Sequence, residues 1–266
     1  MATWHHGLVA DWWALFNTEG PEIDYFGRYV SAGQPALDAG CGTGRLLVPW
    51  LRAGYDVDGA DVSEDMIAHC RRRAGAAARE PTLAVQPLHE LEMPRGYQAV
   101  VVCGVFGLGT TREQDVEALR RLYDALEPGG TLFLDNEAPY ANAGLWKCWT
   151  AEARADLPQP LPTNRHRTQA PDGTERELRS RALAADPLDQ TITLELVADL
   201  WRDGELVATE VWPLTMRAYF DHELRSLLAA TGFELRAVHA DYQPVAPTAD
   251  TRFLTYHARK PGTAGG

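Results

Sequence analysis

The residues that could do chemistry in this chain are polar groups that each follow a short apolar run. They are Asp38, Asp61, Cys103 and the pair Asn136-Glu137. A carboxylate in such a position attracts an ammonium group and accepts hydrogen bonds from hydroxyl groups. The sequence therefore predicts that a cationic, hydroxyl-bearing ligand is bound at these points.

Three alternating glycines follow the first of these acids. Gly40, Gly42 and Gly44 come directly after Asp38, and the periodic apolar run 46–51 comes next. This pattern indicates a strand, a tight turn and a helix, whose N-terminus presents unpaired N–H groups. A dinucleotide site has the spacing G-x-G-x-x-G, whereas this chain has G-x-G-x-G after an acid. A carboxylate at the turn would repel a pyrophosphate and attract an ammonium group.

Two segments resemble motifs of a known family. Residues 37–44, Leu-Asp-Ala-Gly-Cys-Gly-Thr-Gly, resemble motif I of the class I S-adenosylmethionine-dependent methyltransferases. Residues 97–107, an apolar run that ends in small residues, resemble motif IV. The resemblance covers about residues 36–135 and implies an α/β fold with a Rossmann-like, doubly wound sheet, mostly parallel with an antiparallel final strand. It also implies S-adenosylmethionine as cofactor and S-adenosylhomocysteine as product.

The resemblance also implies where the cofactor lies. Asp61, at the end of the second predicted strand, is expected to accept hydrogen bonds from both ribose hydroxyls. The carbonyl of Cys103 is expected to accept the methionine ammonium. The expected cofactor-binding residues are Asp38, Gly40, Cys41, Gly42, Gly44, Arg45, Asp61, Val62, Met66, Gln86, Leu88, Cys103 and Gly104.

Adenine recognition departs from the family pattern. Many members carry an acid directly after the third strand, and this chain has Pro87 there. The side chain of Gln86 and the backbone N–H of Leu88 or His89 are the expected replacements. Met66 is expected to lie against the adenine.

The elements that must hold these groups alternate between strands and helices. Strands are predicted at 36–39, 55–61, 82–86, 97–107 and 131–135, with helices between them. The helix at 44–53 contains Pro49, which predicts a kink. Right-handed crossovers make such a sheet parallel, so all candidate groups meet at its carboxyl edge. A helix at 221–230 and a hairpin at 233–242 and 252–259 complete the core.

Two further segments surround this core. The aromatic-rich segment 3–30 is either a lid over the ligands or a pair of helices packed on the sheet, and His5 and His6 within it are either functional or solvated. An antiparallel meander is predicted at 177–219, with a two-residue turn at Asp203-Gly204. The predicted domains are an N-terminal helical lid at 1–34, a cofactor-binding core at 35–137, a lid and antiparallel β insertion at 138–219, a C-terminal helix and hairpin at 220–260 and a disordered tail at 261–266.

The insertion after the fifth strand resembles that of small-molecule N-methyltransferases, including enzymes that act on amino sugars. It is expected to shape the acceptor site or a homodimer contact. A hydroxyl acceptor would need a base such as Glu137, whereas an amine can lose its proton before binding, so N-, O- and C-methylation stay open. No metal is predicted. The expected catalytic residues are Glu137 and Tyr140, and the expected substrate contacts are Trp13, Phe106, Asn136, Trp146 and Arg252.

Composition excludes several partners. The formal net charge of −12 would repel nucleic acid and an anionic membrane surface. No apolar run reaches the roughly 18 residues that span a bilayer, and the four cysteines lack C-x-x-C spacing, so a cytoplasmic protein with a small-molecule acceptor is predicted. Two alternatives remain, namely a dinucleotide oxidoreductase and a protein that uses the same fold as a cyclase or as a non-catalytic adenosylmethionine binder.

Overall fold

The apolar runs predicted as strands lie side by side in one seven-stranded sheet. The structure is a computed structural model that describes residues 3, 5–30, 33–75, 79–163 and 166–262. The strands of this sheet, in the order β10-β11-β5-β4-β1-β2-β3, are β1 (Ala36–Ala39), β2 (Val57–Asp61), β3 (Leu83–Val85), β4 (Tyr97–Val102), β5 (Leu126–Glu137), β10 (Glu234–Ala240) and β11 (Phe253–Arg259).

The pairing within this sheet is the one expected. Strands β1 to β5 pair in parallel, and β11 pairs antiparallel with both β5 and β10. The chain runs outward from β1 through β2 and β3, then returns to β4 on the other side of β1. The strand order therefore reverses between β1 and β4, and a crevice at their carboxyl ends follows from the opposite directions in which the connections leave.

Helices cover both faces of this sheet. The helices are α1 (Gly7–Phe16), α2 (Pro21–Gly27), α3 (Leu47–Arg52), α4 (Glu64–Ala74), α5 (Arg112–Ala125), α6 (Ala143–Lys147), α7 (Ala151–Ala155) and α8 (Asp221–Thr231), with one turn of 3-10 helix at Leu88–Glu90. Neighbouring residues of β1 face opposite cores: Ala36 packs with Leu47 and Ile67, whereas Leu37 packs with Leu119 and Leu224. Because both faces are covered, the central strands read as continuous apolar runs.

Capping residues in the sequence predicted the starts of two helices correctly. The Ser63 hydroxyl accepts a hydrogen bond from the Met66 N–H at 3.2 Å, and Thr111 forms a capping box with Gln114. The helix predicted at 44–53 begins only at Leu47. Pro49 therefore falls in the first turn, where its missing N–H leaves no helical hydrogen bond unmade.

The predicted meander forms a separate four-stranded sheet. Its strands, in the order β6-β7-β8-β9, are β6 (Thr168–Gln169), β7 (Glu175–Asp186), β8 (Thr191–Arg202) and β9 (Glu205–Arg217). Asp203 and Gly204 join β8 to β9 with φ values of 53° and 81°, as a two-residue turn with both φ positive requires. The end of β9 reaches the core, where the Arg217 N–H donates to the Gly107 carbonyl at 2.9 Å.

The two N-terminal helices have different roles. In α2, Tyr25 and Phe26 are buried in the core beside the sheet, and the Tyr25 hydroxyl lies 2.8 Å from Nε2 of His257 in β11. Helix α1 lies between α4 and the meander: Asp11 contacts His69 at 2.9 Å, and Val9 packs against Leu196. Of the predicted disordered tail, residues 263–266 lie outside the described residues.

Candidate active site

A cavity of about 240 Å³ lies at the carboxyl ends of β1 and β4. Its walls are the glycine turn after β1, the end of β2, the segment after β3 and the start of the loop after β4. Except for Gly44, all the residues predicted to bind cofactor line it, namely Asp38, Gly40, Cys41, Gly42, Arg45, Asp61, Val62, Met66, Gln86, Leu88, Cys103 and Gly104. The topology thus brings together residues from four segments that the sequence singled out.

Gly44 has a different function from the one predicted. Its φ is 84°, and a Cβ there would lie 2.7 Å from Cγ2 of Val48 and 2.9 Å from Sγ of Cys70. The absence of a side chain therefore lets α3 pack against α4, and Gly44 does not line the cavity. At Gly42, by contrast, a Cβ would meet no atom within 4 Å, so the backbone there is open to a ligand.

Two buried carboxylates face this cavity. One oxygen of Asp38, Oδ2, is buried without a hydrogen-bond partner. Burial, with repulsion from Asp61 as a second cause, raises the pKa of Asp38 to about 7. Burial also raises the pKa of Asp61, against hydrogen bonds from the N–H groups of Ser63 at 2.9 Å and Gly42 at 2.8 Å. A cationic ligand would relieve both the unpaired oxygen and the repulsion.

These groups fit S-adenosylmethionine. Asp38 Oδ2 supplies an acceptor for the ammonium group, and each oxygen of Asp61 keeps a free lone pair for a ribose hydroxyl after its backbone hydrogen bond. A pyrophosphate would face two carboxylates here. The electrostatics of the cavity therefore favour the sulfonium cofactor over a dinucleotide.

The Gln86 side chain, which was predicted to bind adenine, has partners within the protein. The Gln86 side chain makes two hydrogen bonds with the backbone of Glu92, at 2.8 and 3.2 Å. Its amide is therefore engaged in fixing the loop after β3, although Gln86 still lines the cavity. The backbone around Leu88 stays the other predicted partner of adenine, and Val62, Met66 and Leu88 line the same cavity.

A second and larger cavity, of about 580 Å³, adjoins the first. It lies between the ends of β4 and β5, the N-terminal helices, the segment around α6 and the end of the meander. Its wall includes Phe106 and Asn136, as predicted for substrate contacts, and Met216 from the meander. Several residues line both cavities, namely Trp13, Asn17, Arg45, Cys103, Gly104, Val105 and Leu108.

Asp135 is a buried acid in this second cavity, and sequence reasoning treated it only as a strand end. Its carboxylate accepts hydrogen bonds from the Gly104 N–H at 2.6 Å, the Tyr242 hydroxyl at 2.6 Å and the Cys103 thiol at 3.1 Å. Burial is the largest cause of its raised pKa. Asp135 could have been identified from its position in the sequence, since it precedes Asn136 at the end of a predicted core strand.

Two predicted functional residues pair with each other. The Arg252 Nε donates to Oε1 of Glu137 at 3.0 Å, and the Arg252 side chain is 59% exposed. Glu137 lines the second cavity, but Arg252 does not. Glu137 is therefore not the free base that was expected, and Arg252 is not placed to contact the substrate. Asn136 donates to the Tyr219 carbonyl at 2.9 Å, which fixes its amide at the cavity wall.

Tyr140 and Trp146 do not reach either cavity. They are 44% and 42% exposed, which does not support their predicted roles in catalysis and substrate binding. Helix α6 starts after the Asn142 cap. Its Leu145 lines the second cavity, as does Trp149 in the turn that follows the helix. Trp146 lies on another face of the helix, 6.4 Å from the ring of Phe220.

The N-terminal segment closes the site through charge and aromatic contacts. Glu22 forms an ion pair with Arg45, which lines both cavities. His5 lines the first cavity, where burial, followed by the nearby His6, lowers its pKa to about 4. Trp13 lines both cavities, and its buried Nε1 has no hydrogen-bond partner within the described part of the chain. Glu22 was not anticipated from the sequence.

Neither a metal site nor a membrane span is found in the part of the chain that the structure describes. Its histidine, cysteine and acidic side chains form no cluster of three or more that could hold an ion. Its helices are all too short or too polar to cross a bilayer.

Residues 36–130 match the family described as a methyltransferase domain. The chain is 23% identical over 248 residues to YqeM of Bacillus subtilis, a protein named as a methyltransferase, and this alignment spans 90% of this chain and 91% of YqeM. Because residues 36–130 contain the glycine turn, Asp61 and the Cys103 strand end, the match covers most of the residues that line the first cavity.

Solved structures share the whole fold. The CcbJ methyltransferase of Streptomyces caelestis superposes with a TM-score of 0.71 at 21% identity, over 96% of each chain. The structure of CalS10 with S-adenosylmethionine bound, an amino pentose methyltransferase of Micromonospora echinaspora, superposes with a TM-score of 0.60 at 20% identity, over 91% of this chain and 93% of CalS10. Since 96% and 91% of this chain are covered, the shared fold extends beyond residues 36–130.

Proposed function

We propose that this chain, a class I S-adenosylmethionine-dependent methyltransferase of small molecules, transfers the methyl group to a nitrogen or oxygen of a small cyclic metabolite held in the second cavity. One observation supports this placement. The two cavities share a boundary formed by Cys103, Gly104 and Val105 at the end of β4 and by Trp13 of α1. A methyl group that leaves the first cavity at this boundary enters the second directly.

When bound, S-adenosylmethionine supplies a methyl carbon made electrophilic by a positively charged sulfur. The residues of the chain then have to align and enclose the reactants. Asp38 holds the ammonium end and Asp61 the ribose, which fixes the first reactant on the backbone of the glycine turn. Alignment of this kind corresponds to effective molarities of about 10⁵ to 10⁸ M, so no covalent intermediate is needed.

The second cavity fixes the acceptor. Its wall combines Phe106, Leu145, Trp149 and Met216 with a few polar groups, a composition suited to a mostly apolar ring. The Trp13 indole N–H, which has no hydrogen-bond partner among the residues that the structure describes, is available to an acceptor oxygen. The N-terminal helices and the insertion contribute most of this wall, so we place acceptor specificity there.

The experiment is transfer from methyl-labelled S-adenosylmethionine to a panel of cyclic amines and alcohols. We expect labelled product from at least one ring-bearing acceptor. Calorimetry with S-adenosylhomocysteine and with NAD is the companion measurement. If NAD binds in preference, or if the chain binds S-adenosylhomocysteine and methylates nothing in the panel, the proposal fails.

The partners and compartment follow from surface properties. We place the protein in the cytoplasm, with no nucleic acid partner, because of its net charge of −12 and its unpaired cysteines.

A homodimer through the insertion would use β9, an edge strand on which Leu206, Val207 and Val211 are 51–52% exposed. Sedimentation of Val211→Lys beside the unaltered chain tests this. A monomer in both cases would exclude the dimer.

A further inference from the structure

The charged side chains of the second cavity are paired in all cases but two. Glu22 pairs with Arg45, and Glu137 pairs with Arg252 at 3.0 Å. Arg217 lies 2.9 Å from Oδ1 of Asp189. The opposite charges within each of these pairs offset each other, so the pairs contribute little net charge toward a ligand. The two remaining lining acids are Asp135 and Asp241.

Asp241 and Asp135 differ in their exposure to water. Asp241 is exposed, and its Oδ1 accepts two backbone hydrogen bonds from the closing hairpin, at 2.8 and 3.0 Å. Asp135 is only 4% exposed. None of the described cations forms an ion pair with Asp135, and its three donors are a thiol, a backbone amide and a phenol. Water therefore screens Asp241, whereas the charge of Asp135 acts within the cavity, where Arg45 offsets part of it and opposes the rise in the pKa of Asp135.

The carboxylate of Asp135 also has a free position. A carboxylate accepts about four hydrogen bonds, and the contacts from Cys103, Gly104 and Tyr242 use three of them. The Tyr242 and Cys103 donors both contact Oδ2, and the Gly104 N–H contacts Oδ1, so the remaining lone pair is on Oδ1. Gly104 is one of the residues at the boundary between the two cavities.

We propose that Asp135 recognises the nitrogen of the acceptor, which makes the substrate a cyclic amine rather than an alcohol. This inference rests on the proposed function. The amine binds in its protonated form and donates an N–H to Oδ1 of Asp135. Loss of one of its protons to water then frees the nitrogen lone pair, which points toward the cavity boundary. Tyr242 is a positioning residue, because its hydroxyl holds Oδ2 and orients the carboxylate. An alcohol would gain less from this site, since it brings no positive charge to the buried carboxylate.

The transfer step balances with these groups. The nitrogen lone pair forms the new N–C bond while the C–S bond breaks, and the electron pair of that bond stays on sulfur. The nitrogen becomes positively charged, and one N–H proton passes to the Asp135 carboxylate. The proton reaches water when the products leave. Burial, which raises the pKa of Asp135, favours this temporary protonation.

The test compares two probes of the same shape, cyclohexylamine and cyclohexanol, by calorimetry at neutral pH with saturating S-adenosylhomocysteine. The amine is protonated under these conditions. We expect it to bind at least about tenfold more tightly than the alcohol. In Asp135→Asn the two affinities should come within about twofold of each other, while the affinity for S-adenosylhomocysteine stays within about threefold of the original.

A second pair of variants separates positioning from loss of structure. Tyr242→Phe should reduce the preference for the amine without changing S-adenosylhomocysteine affinity. The matched control is Tyr97→Phe, because Tyr97 also donates to a buried acid, Asp58, at 3.1 Å, but lines neither cavity. It should keep the full preference. If Asp135→Asn does not fold, the preference measured in Tyr242→Phe alone tests the role of Asp135.

The outcomes distinguish the inference from the function on which it rests. Equal affinities for amine and alcohol, or no binding of either probe, overturn the assignment of Asp135. A preference that survives in Asp135→Asn or in Tyr242→Phe overturns it as well. Failure to bind S-adenosylhomocysteine, by contrast, contradicts the proposed function itself.

Discussion

Replacement of Asp61 by alanine tests the cofactor site. The two carboxylate oxygens already accept backbone N–H groups from Gly42 and Ser63, and each keeps a lone pair for a ribose hydroxyl. A hydrogen bond to a charged group contributes roughly 1.5 to 3 kcal/mol, and competition with water reduces the sum of two such bonds. We therefore expect the affinity for S-adenosylhomocysteine to fall about ten- to a hundredfold, or about 1.4 to 2.7 kcal/mol.

The same substitution also affects folding. Alanine leaves the Gly42 and Ser63 N–H groups without an acceptor, at roughly 1 to 3 kcal/mol for each buried donor. Loss of the repulsion between Asp61 and Asp38 offsets part of this cost. We expect the free energy of unfolding to fall by about 1 to 2 kcal/mol, since Gly42 lines a cavity that water can enter.

Calorimetry with S-adenosylhomocysteine and urea unfolding measure the two effects separately. Asp58→Asn is the control, since Asp58 lies on the same strand and is buried against Arg95 at 2.8 Å, away from both cavities. It should lower stability and leave cofactor affinity within about threefold. If Asp61→Ala binds as tightly as the unaltered chain, Asp61 only supports the glycine turn and the ribose lies elsewhere.

Three further predictions concern the rest of the chain. Trp149→Ala should raise the KM for the acceptor at least about fivefold, whereas Trp146→Ala should change it less than about twofold, as steady-state kinetics would show; a larger effect of Trp146 would restore its predicted role. Gly44→Ala should lower the free energy of unfolding in urea by roughly 2 kcal/mol or more, because its Cβ would overlap Val48 and Cys70; an unchanged midpoint would refute that packing. Burial, and secondarily His239, lowers the pKa of His257 from 6.5 to about 4, so the unfolded chain binds more protons between these values and stability should fall as pH falls from 6.5 to 4. The upper bound of this loss is about 3 kcal/mol, and a His257→Phe variant should show a flatter urea-unfolding profile over that range.

The cofactor half of the site was predictable because its residues are local in sequence. Asp38 and the glycines lie within seven residues of one another, and Asp61 ends the next strand. The handedness of parallel connections then brings the ends of β1, β2 and β4 to one edge without further information. The predicted fold is confirmed by solved structures that share it, and residues 36–130 match a methyltransferase domain.

Some predicted ligand contacts did not allow for competing partners inside the protein, which the sequence alone does not reveal. The Gln86 amide was expected to be free for adenine, but it satisfies the backbone of Glu92 in its own loop. Glu137 and Arg252 were expected to act separately, yet pairing of β5 with β11 places them side by side. In each case a nearer partner inside the protein takes the hydrogen bonds assigned to the ligand.

The acceptor half was decided mainly by tertiary structure, although Trp13, Phe106 and Asn136 of its wall were predicted from the sequence. Its wall combines Trp13, Asp135, Trp149, Met216 and Tyr242, which come from five distant segments. Which tryptophan of the insertion lines the cavity depends on the extent of α6, since Trp146 lies within the helix and Trp149 in the turn after its end at Lys147. The sequence by itself therefore determined the fold and the cofactor, because both follow from local patterns, whereas the packing of remote segments determined which groups meet the acceptor.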